Sequence, residues 1–409
     1  MTEEAQFWNE EAEAPSDWRE YQDALVKRAV QYASECSREV RHRLADAGLN
    51  PEAVSGIGDL RNIRVLAKDD LPELQVTDPP FGGLLAVDVG ELRRIYRSPG
   101  PINDPEGRTP DFWRMAPALW AAGFRPGDIV LNTLSYHLTP GGHMLDAGLR
   151  EVGCVVLPGG VGSSSTQASF SASVGATGYV GTPQFLLTLC EKIEREEIPI
   201  SFQKALVTGA PLPQSLRRNL QGAYGIDVFQ VYGTADAGAL GFECEAKRGW
   251  HIAPGVAIEI IEPGMGEPVG PGESGEVVVT SSNETYPLVR FGTGDLSSMV
   301  MDDCTCGRTT PRLKGFLGRV GEGVKVRGMF VHPRQLAAVL DTEPSVHRYQ
   351  GVVTSEGHRD VLTVMVESDE IEVPALAALI EEATNLRVAV TSVPSGTIEE
   401  GAKLLVDAR

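Results

Sequence analysis

The sequence predicts an α/β protein: a large N-terminal domain of mostly parallel, helix-flanked strands with a β subdomain, then a small α+β C-terminal domain. Three observations carry this. Short apolar runs alternate with helix-length segments from residue 112 to 232. Between 250 and 300 the chain turns to β-type runs around Pro/Gly-rich turns. After Gly318 the order of elements becomes β, α, β, β, α, β.

Each element rests on its own pattern. Tyr21, Leu25, Ala29, Tyr32, Val40 and Leu44 recur at helical spacing, which predicts one amphipathic helix over 17–47, ended by Gly48. Helical segments at 112–122, 142–151, 184–196 and 214–223 lead into apolar strands at 128–133, 154–157, 204–208 and 228–232, with a further helix before a strand at 177–180. Short strands separated by helices imply right-handed crossovers and a parallel sheet. Ligands on such sheets sit beyond the carboxyl ends of the strands. Those ends, 135–142, 158–165, 181–183, 208–213 and 232–238, are rich in Gly, Ser, Thr, His and Asp. The runs 256–261 and 275–280 flank a Pro/Gly-rich turn and predict antiparallel strands. Beyond 318 the elements fall at 324–329, 333–340, 349–355, 362–367, 373–385 and 387–393, so the domains are drawn at 1–318 and 319–409.

Composition narrows the function. With 409 residues, 42% hydrophobic and 22% charged, the chain is an ordinary globular sequence with room for a large core. Its formal charge is −20, with 56 acidic against 36 basic residues. A nucleic-acid or anionic-membrane partner demands a basic face, so neither is expected. Six cysteines, no apolar signal core at the acidic N-terminus and no membrane-length apolar run predict a soluble cytoplasmic protein.

The densest chemistry lies between Arg290 and Arg327. Arg290-Phe-Gly-Thr-Gly-Asp295 places a carboxylate behind a glycine turn, where it can hold a ribose diol or simply end a hairpin. Gly318-Arg319 and Lys325-Val-Arg327 supply cations for phosphates or a carboxylate. Cys304-x-Cys306 with Cys244-x6-His251 makes a Cys₃His set that suits tetrahedral structural zinc, or four ordinary side chains of a β region.

In this order and spacing, 290–327 resembles the closing segment of adenylate-forming enzymes, specifically the phenylacetate–CoA ligase family. The resemblance covers nearly the whole chain. It implies ATP-dependent activation of a carboxylic acid, by family default an aromatic one, as an acyl-adenylate, followed by transfer to coenzyme A. A small mobile C-terminal domain hinged just after Arg319, and possible homodimers, come with it. Asp295 and Arg319 would contact ribose. Tyr232-Gly233-Thr234-Ala-Asp236 matches the family's Tyr-Gly-x-Ser/Thr-Glu, whose tyrosine stacks on adenine and whose carboxylate binds Mg²⁺. Asp236 equally reads as a helix cap. Gly209-Ala210-Pro211 resembles the adenine-edge segment.

Two segments depart from the pattern. Residues 97–109 stand where the family has Ser-Ser-Gly-Thr-Thr-Gly-Lys-Pro-Thr, yet they contain three prolines and no lysine, leaving Ser98, Gly100, Arg108 and Thr109 to meet phosphates. The family's catalytic lysine follows a glycine directly, whereas Lys403 follows Gly401-Ala402, and reads either as that lysine shifted by one or as a surface residue. These departures keep open a nucleotide- or acyl-binding relative that has lost catalysis, or an adenylyltransferase with a non-CoA acceptor. His137 and His143 lie at a strand end, where the family lines its acid pocket, and also read as packed or solvated side chains.

Overall fold

The computed structural model describes Trp8 and residues 17–98, 101–199, 202–270, 272–321, 323–327, 329–356, 359–368, 372–384 and 386–409. They cluster into two compact units, one comprising Met1–Glu259, Val278–Thr293 and Met299–Gly315, the other Ile260–Val277, Gly294–Ser298 and Phe316–Arg409.

In the first unit the N-terminal apolar stripe folds as two helices, Trp18–Cys36 and Arg38–Asp46, instead of one. Ser37 breaks them: its backbone is extended and its hydroxyl accepts from Val40 N–H, capping the second helix. Serine favours the orphan donors of a helix start over a helix interior, a preference that apolar spacing does not register. Leu25, Val26, Val30, Val40 and Leu44 pack against Leu60, Ile63, Ala257 and Val289.

The predicted alternation holds. Strands Ile129–Asn132, Val155–Pro158, Gly178–Gly181, Lys204–Val207 and Asp227–Thr234 pair in parallel, with Ile129–Asn132 between Val155–Pro158 and Gly178–Gly181. Helices Gly141–Val152, Ser164–Ser173, Pro183–Arg195 and Gln214–Tyr224 make the crossovers. Leu131, Tyr179, Leu186, Leu189, Ala205 and Val228 fill the core between sheet and helices. The sheet then turns antiparallel, because Asp227–Thr234 pairs with Gly238–Phe242, which pairs with Trp250–Ile252, which pairs with Arg312–Leu313.

Residues 97–109 are mostly not a loop. Arg94–Ser98 and Ile102–Glu106 form an antiparallel ribbon with Arg97 opposite Asn103 and Ser98 opposite Ile102. Gly100 lies outside the described residues.

In the second unit a four-stranded sheet runs Ala389–Val393, Arg359–Ser368, Val346–Glu356, Leu405–Asp407. Helices Pro333–Leu340 and Val373–Thr384 bury Leu336, Leu340, Leu376 and Ile380 with Val353, Leu362 and Val364. Two details differ from the expected order. The stretch 324–329 is one arm of a hairpin, Val324–Val326 with Met329–Val331, and Leu405–Asp407 adds an edge strand parallel to Val346–Glu356. A three-residue strand is too short for period-2 patterning to reveal.

Candidate active site and metal centre

The carboxyl ends of the parallel strands surround a cavity of ≈ 540 Å³. Met115, Leu134, Met144, Leu145 and Phe185 give it an apolar body, and Ser98, Thr208, Gly209, Gly233, Thr234 and Ala235 line it as well. No charged side chain lines it among the described residues. A cavity of this size and character suits a small organic ligand whose body is apolar.

Four of the residues picked out in the sequence therefore meet at this cavity: Ser98, Gly209, Gly233 and Thr234. Gly233 has to be glycine, because a Cβ would stand 2.6 Å from the Gly238 carbonyl across the turn. Thr234 Oγ1 accepts from Ala237 N–H, and the Trp113 indole donates to the Ala235 carbonyl, which fixes the strand-to-strand corner. Gly209 adopts φ 72°, a left-handed conformation natural only to glycine. Beside it Ala210 is half-buried and Pro211 exposed. Tyr232 is buried, with one face stacked on Trp250 at 5.1 Å between centroids and its hydroxyl 3.3 Å from Thr293 Oγ1.

Asp236 is wholly buried and paired with Lys68, Nζ to Oδ2 2.6 Å. Asp104 adjoins this pair from the ribbon strand Ile102–Glu106. Burial first, and the Asp236 charge second, push its carboxyl up to about 7. Ser98 and Lys68 act in the opposite direction. Gln75 clamps this strand by exchanging hydrogen bonds with the Asn103 backbone. Tyr286 is buried beside both carboxylates, and burial together with their charges raises its pKa, so it stays a neutral phenol. Sequence reading missed Lys68, Asp104 and Tyr286. One signal was available for Asp104: with Gly100 and Pro105 laid on the Gly and Pro of Gly-Thr-Thr-Gly-Lys-Pro, Asp104 falls on the lysine.

In the second unit Asp295 pairs in register with Arg319, whose Nε stands 3.4 Å from the carboxylate while the guanidinium is largely exposed. Lys325 lies on the strand Val324–Val326. Lys403 is exposed, and its carbonyl accepts from the Gln350 side chain just before the edge strand Leu405–Asp407. Arg290 is not a ligand-facing cation. It is buried in the first unit, pairs with Glu259 at 3.3 Å and donates to the Arg61 and Ile63 carbonyls.

Cys244, His251, Cys304 and Cys306 converge, with all ligand atoms within 4.8 Å of one another. Cys244 Sγ lies 3.6 Å from Cys304 Sγ, and Cys306 Sγ lies 3.4 Å from His251 Nε2. The Thr310 carbonyl stands 3.1 Å from His251 Nδ1. That contact favours the tautomer with the proton on Nδ1 and leaves Nε2 to ligate, the usual outer-shell arrangement of a metal-binding histidine. Burial, then the Arg308 charge, lower the imidazole pKa to about 4, so it stays neutral. The donor set fits zinc: soft and borderline atoms in tetrahedral number, close enough to share one ion.

Comparison with known proteins agrees with this geometry. Residues 111–285 match the family model described as AMP-binding enzyme. The chain is 32% identical to the phenylacetate–coenzyme A ligase of Thermus thermophilus over 86% of its own length and 82% of that protein. It is 29% identical to the enzyme of the same name from Escherichia coli, over 85% and 82%. Its fold is similar to a crystal structure titled an open conformation of 2-hydroxyisobutyryl-CoA ligase in complex with 2-HIB-AMP and CoA, with TM-score 0.84, 23% identity, and 94% and 91% of the two chains covered. The chain thus has the fold of adenylate-forming enzymes. Within them it belongs to the phenylacetate–CoA ligase family, whose members are AMP-forming acid–thiol ligases. No helix among the described residues is long and apolar enough to cross a membrane.

Proposed function

We propose that this protein is an ATP-dependent acid–CoA ligase for an apolar, phenylacetate-like carboxylic acid. The observation that carries the reading is the uncharged, largely apolar cavity at the strand ends, flanked by the Tyr232–Asp236 segment of the AMP-binding fold. In the first half-reaction the substrate carboxylate attacks the α-phosphorus of ATP and pyrophosphate leaves. In the second, the CoA thiol attacks the acyl carbonyl and AMP leaves. The cavity takes the acid body with its carboxylate toward Gly233 and Thr234, and excludes dicarboxylates because it lacks a counter-charge.

The remaining roles are those that the family resemblance implies. Adenine lies along residues 209–211 beside Tyr232. Asp295 receives the ribose hydroxyls and Arg319 flanks them. Lys325 and Lys403, carried by a C-terminal domain beginning at 319, meet phosphate charge. Asp236 holds the Mg²⁺ that neutralises the phosphates, with Ser98 beside it, while Gly100 approaches the nucleotide through its backbone. Zinc bound by Cys244, His251, Cys304 and Cys306 staples the antiparallel strands. ATP–pyrophosphate exchange that requires an added aryl acid, followed by thioester formation on adding CoA, tests the reading; nucleotide binding without exchange for any acid overturns it.

A further inference from the structure

Around Lys68 an unusual number of buried oxygens share one place. Ser98 Oγ, both carboxylate oxygens of Asp104, Asp236 Oδ1 and the Tyr286 hydroxyl are buried and complete no hydrogen bond of normal geometry. They belong together: Asp104 feels Ser98, Asp236 and Lys68, and Tyr286 feels both aspartates. Buried polar atoms are almost always paired, so a cluster of unpaired acceptors calls for a ligand. A water molecule would satisfy lone pairs but not charge. Two carboxylates face one ammonium here, and a lone buried negative charge is costly. Divalent hard cations take oxygen ligands of this type, from carboxylates, hydroxyls and water.

We propose that Asp104 and Asp236 together form a divalent-cation site, with Ser98 as a neighbouring oxygen donor and Lys68 as the ammonium that holds the site until the metal arrives. The Lys68 side chain is 26% exposed, so its ammonium has a way out to solvent while its stem stays packed. Asp104 stands at the place of the lysine in the family's phosphate loop, and with both carboxylates ionised a divalent cation brings the pair to neutrality. This inference rests on the ligase reading for its purpose but not for its test.

The test is binding of Mn²⁺ alone to the full-length protein without nucleotide, followed by the electron paramagnetic resonance signal of free Mn²⁺. The proposal expects one saturable site whose Kd rises about tenfold or more in Asp104→Asn and in Asp236→Asn, given that even outer-shell partners tune metal affinity on that scale. The exposed control Glu399→Gln leaves it unchanged. Removing the competing ammonium by Lys68→Met tightens binding, which keeps the proposal testable should Asp104→Asn fail to fold. Absence of a saturable site, equal affinity in folded Asp104→Asn, or weaker binding in Lys68→Met overturns it. Loss of pyrophosphate exchange in a protein that still binds Mn²⁺ this way would instead count against the ligase reading.

Discussion

The chain carries two buried clusters of titratable side chains, and they solve the cost of burial in opposite ways. The thiol–imidazole cluster has four donors within 4.8 Å, with a threonine carbonyl beside the far ring nitrogen of His251. The oxygen cluster holds two aspartates, a serine and a tyrosine against one lysine that is partly open to solvent. The first is closed and complete in ligand number, as structural zinc sites are. The second is only partly compensated and adjoins the cavity through Ser98, as a site for an exchanging ion must be. A closed set stabilises a fold, whereas a partly compensated set can do work on a ligand.

The contrast can be broken most sharply at the thiol–imidazole cluster. Metal analysis should find about one zinc per chain, and Cys304→Ser should lose it. A ligand present at a thousand times its Kd adds about 4 kcal/mol of stability, so this variant should also melt well below the parent. A Cys304→Ser protein that keeps stoichiometric zinc would end the structural assignment.

At the oxygen cluster the larger effect should fall on rate. Asp236→Asn should retain its zinc while acid-dependent pyrophosphate exchange drops roughly 10²–10³-fold, the usual cost of removing one preorganised electrostatic group. An Asp236→Asn enzyme as fast as the parent would mean that Asp236 only anchors Lys68.

The third difference concerns pH. The Asp104 carboxyl is pushed from 3.8 up to about 7, chiefly by burial. Its neutral form is favoured in the folded state, so its stabilising effect is complete below pH 3.8 and is lost as pH rises to about 7. Without added divalent cation, Asp104→Asn should therefore be more stable than the parent at pH 8, with the difference vanishing by about pH 4. Denaturant unfolding across that range checks it, and a difference that grows toward acid would reverse the assignment. The smallest effect belongs to the cavity. Phe185→Ala should lower kcat/KM for an aryl acid by roughly 10–200-fold, the worth of apolar packing in a pocket, with kcat/KM for ATP measured at saturating acid largely spared.

The same two clusters show what a sequence can disclose. The thiol–imidazole cluster was legible because cysteine and histidine are uncommon and their chemistry is narrow, even with His251 and Cys306 55 positions apart. The parallel strands were legible because alternation of apolar runs reports a crossover fold directly. Asp104 was not, since an aspartate between prolines reads as a turn until burial is known. Lys68 and Asp236 lie 168 residues apart, and no local pattern joins them. Local chemistry also decided Ser37, where one hydroxyl split the predicted helix in two. What stayed hidden were charges whose meaning depends on partners distant in the chain.

The central claim is that the cavity and the phosphate side of this site still activate an acid, although the loop lysine is an aspartate. Radiolabelled pyrophosphate exchange into ATP, with Mg²⁺ and phenylacetate, tests it most directly. The account predicts exchange that requires both the acid and the metal, and that yields a CoA thioester when CoA is added. Exchange absent with phenylacetate and with every other apolar acid, in protein that binds ATP, would contradict it.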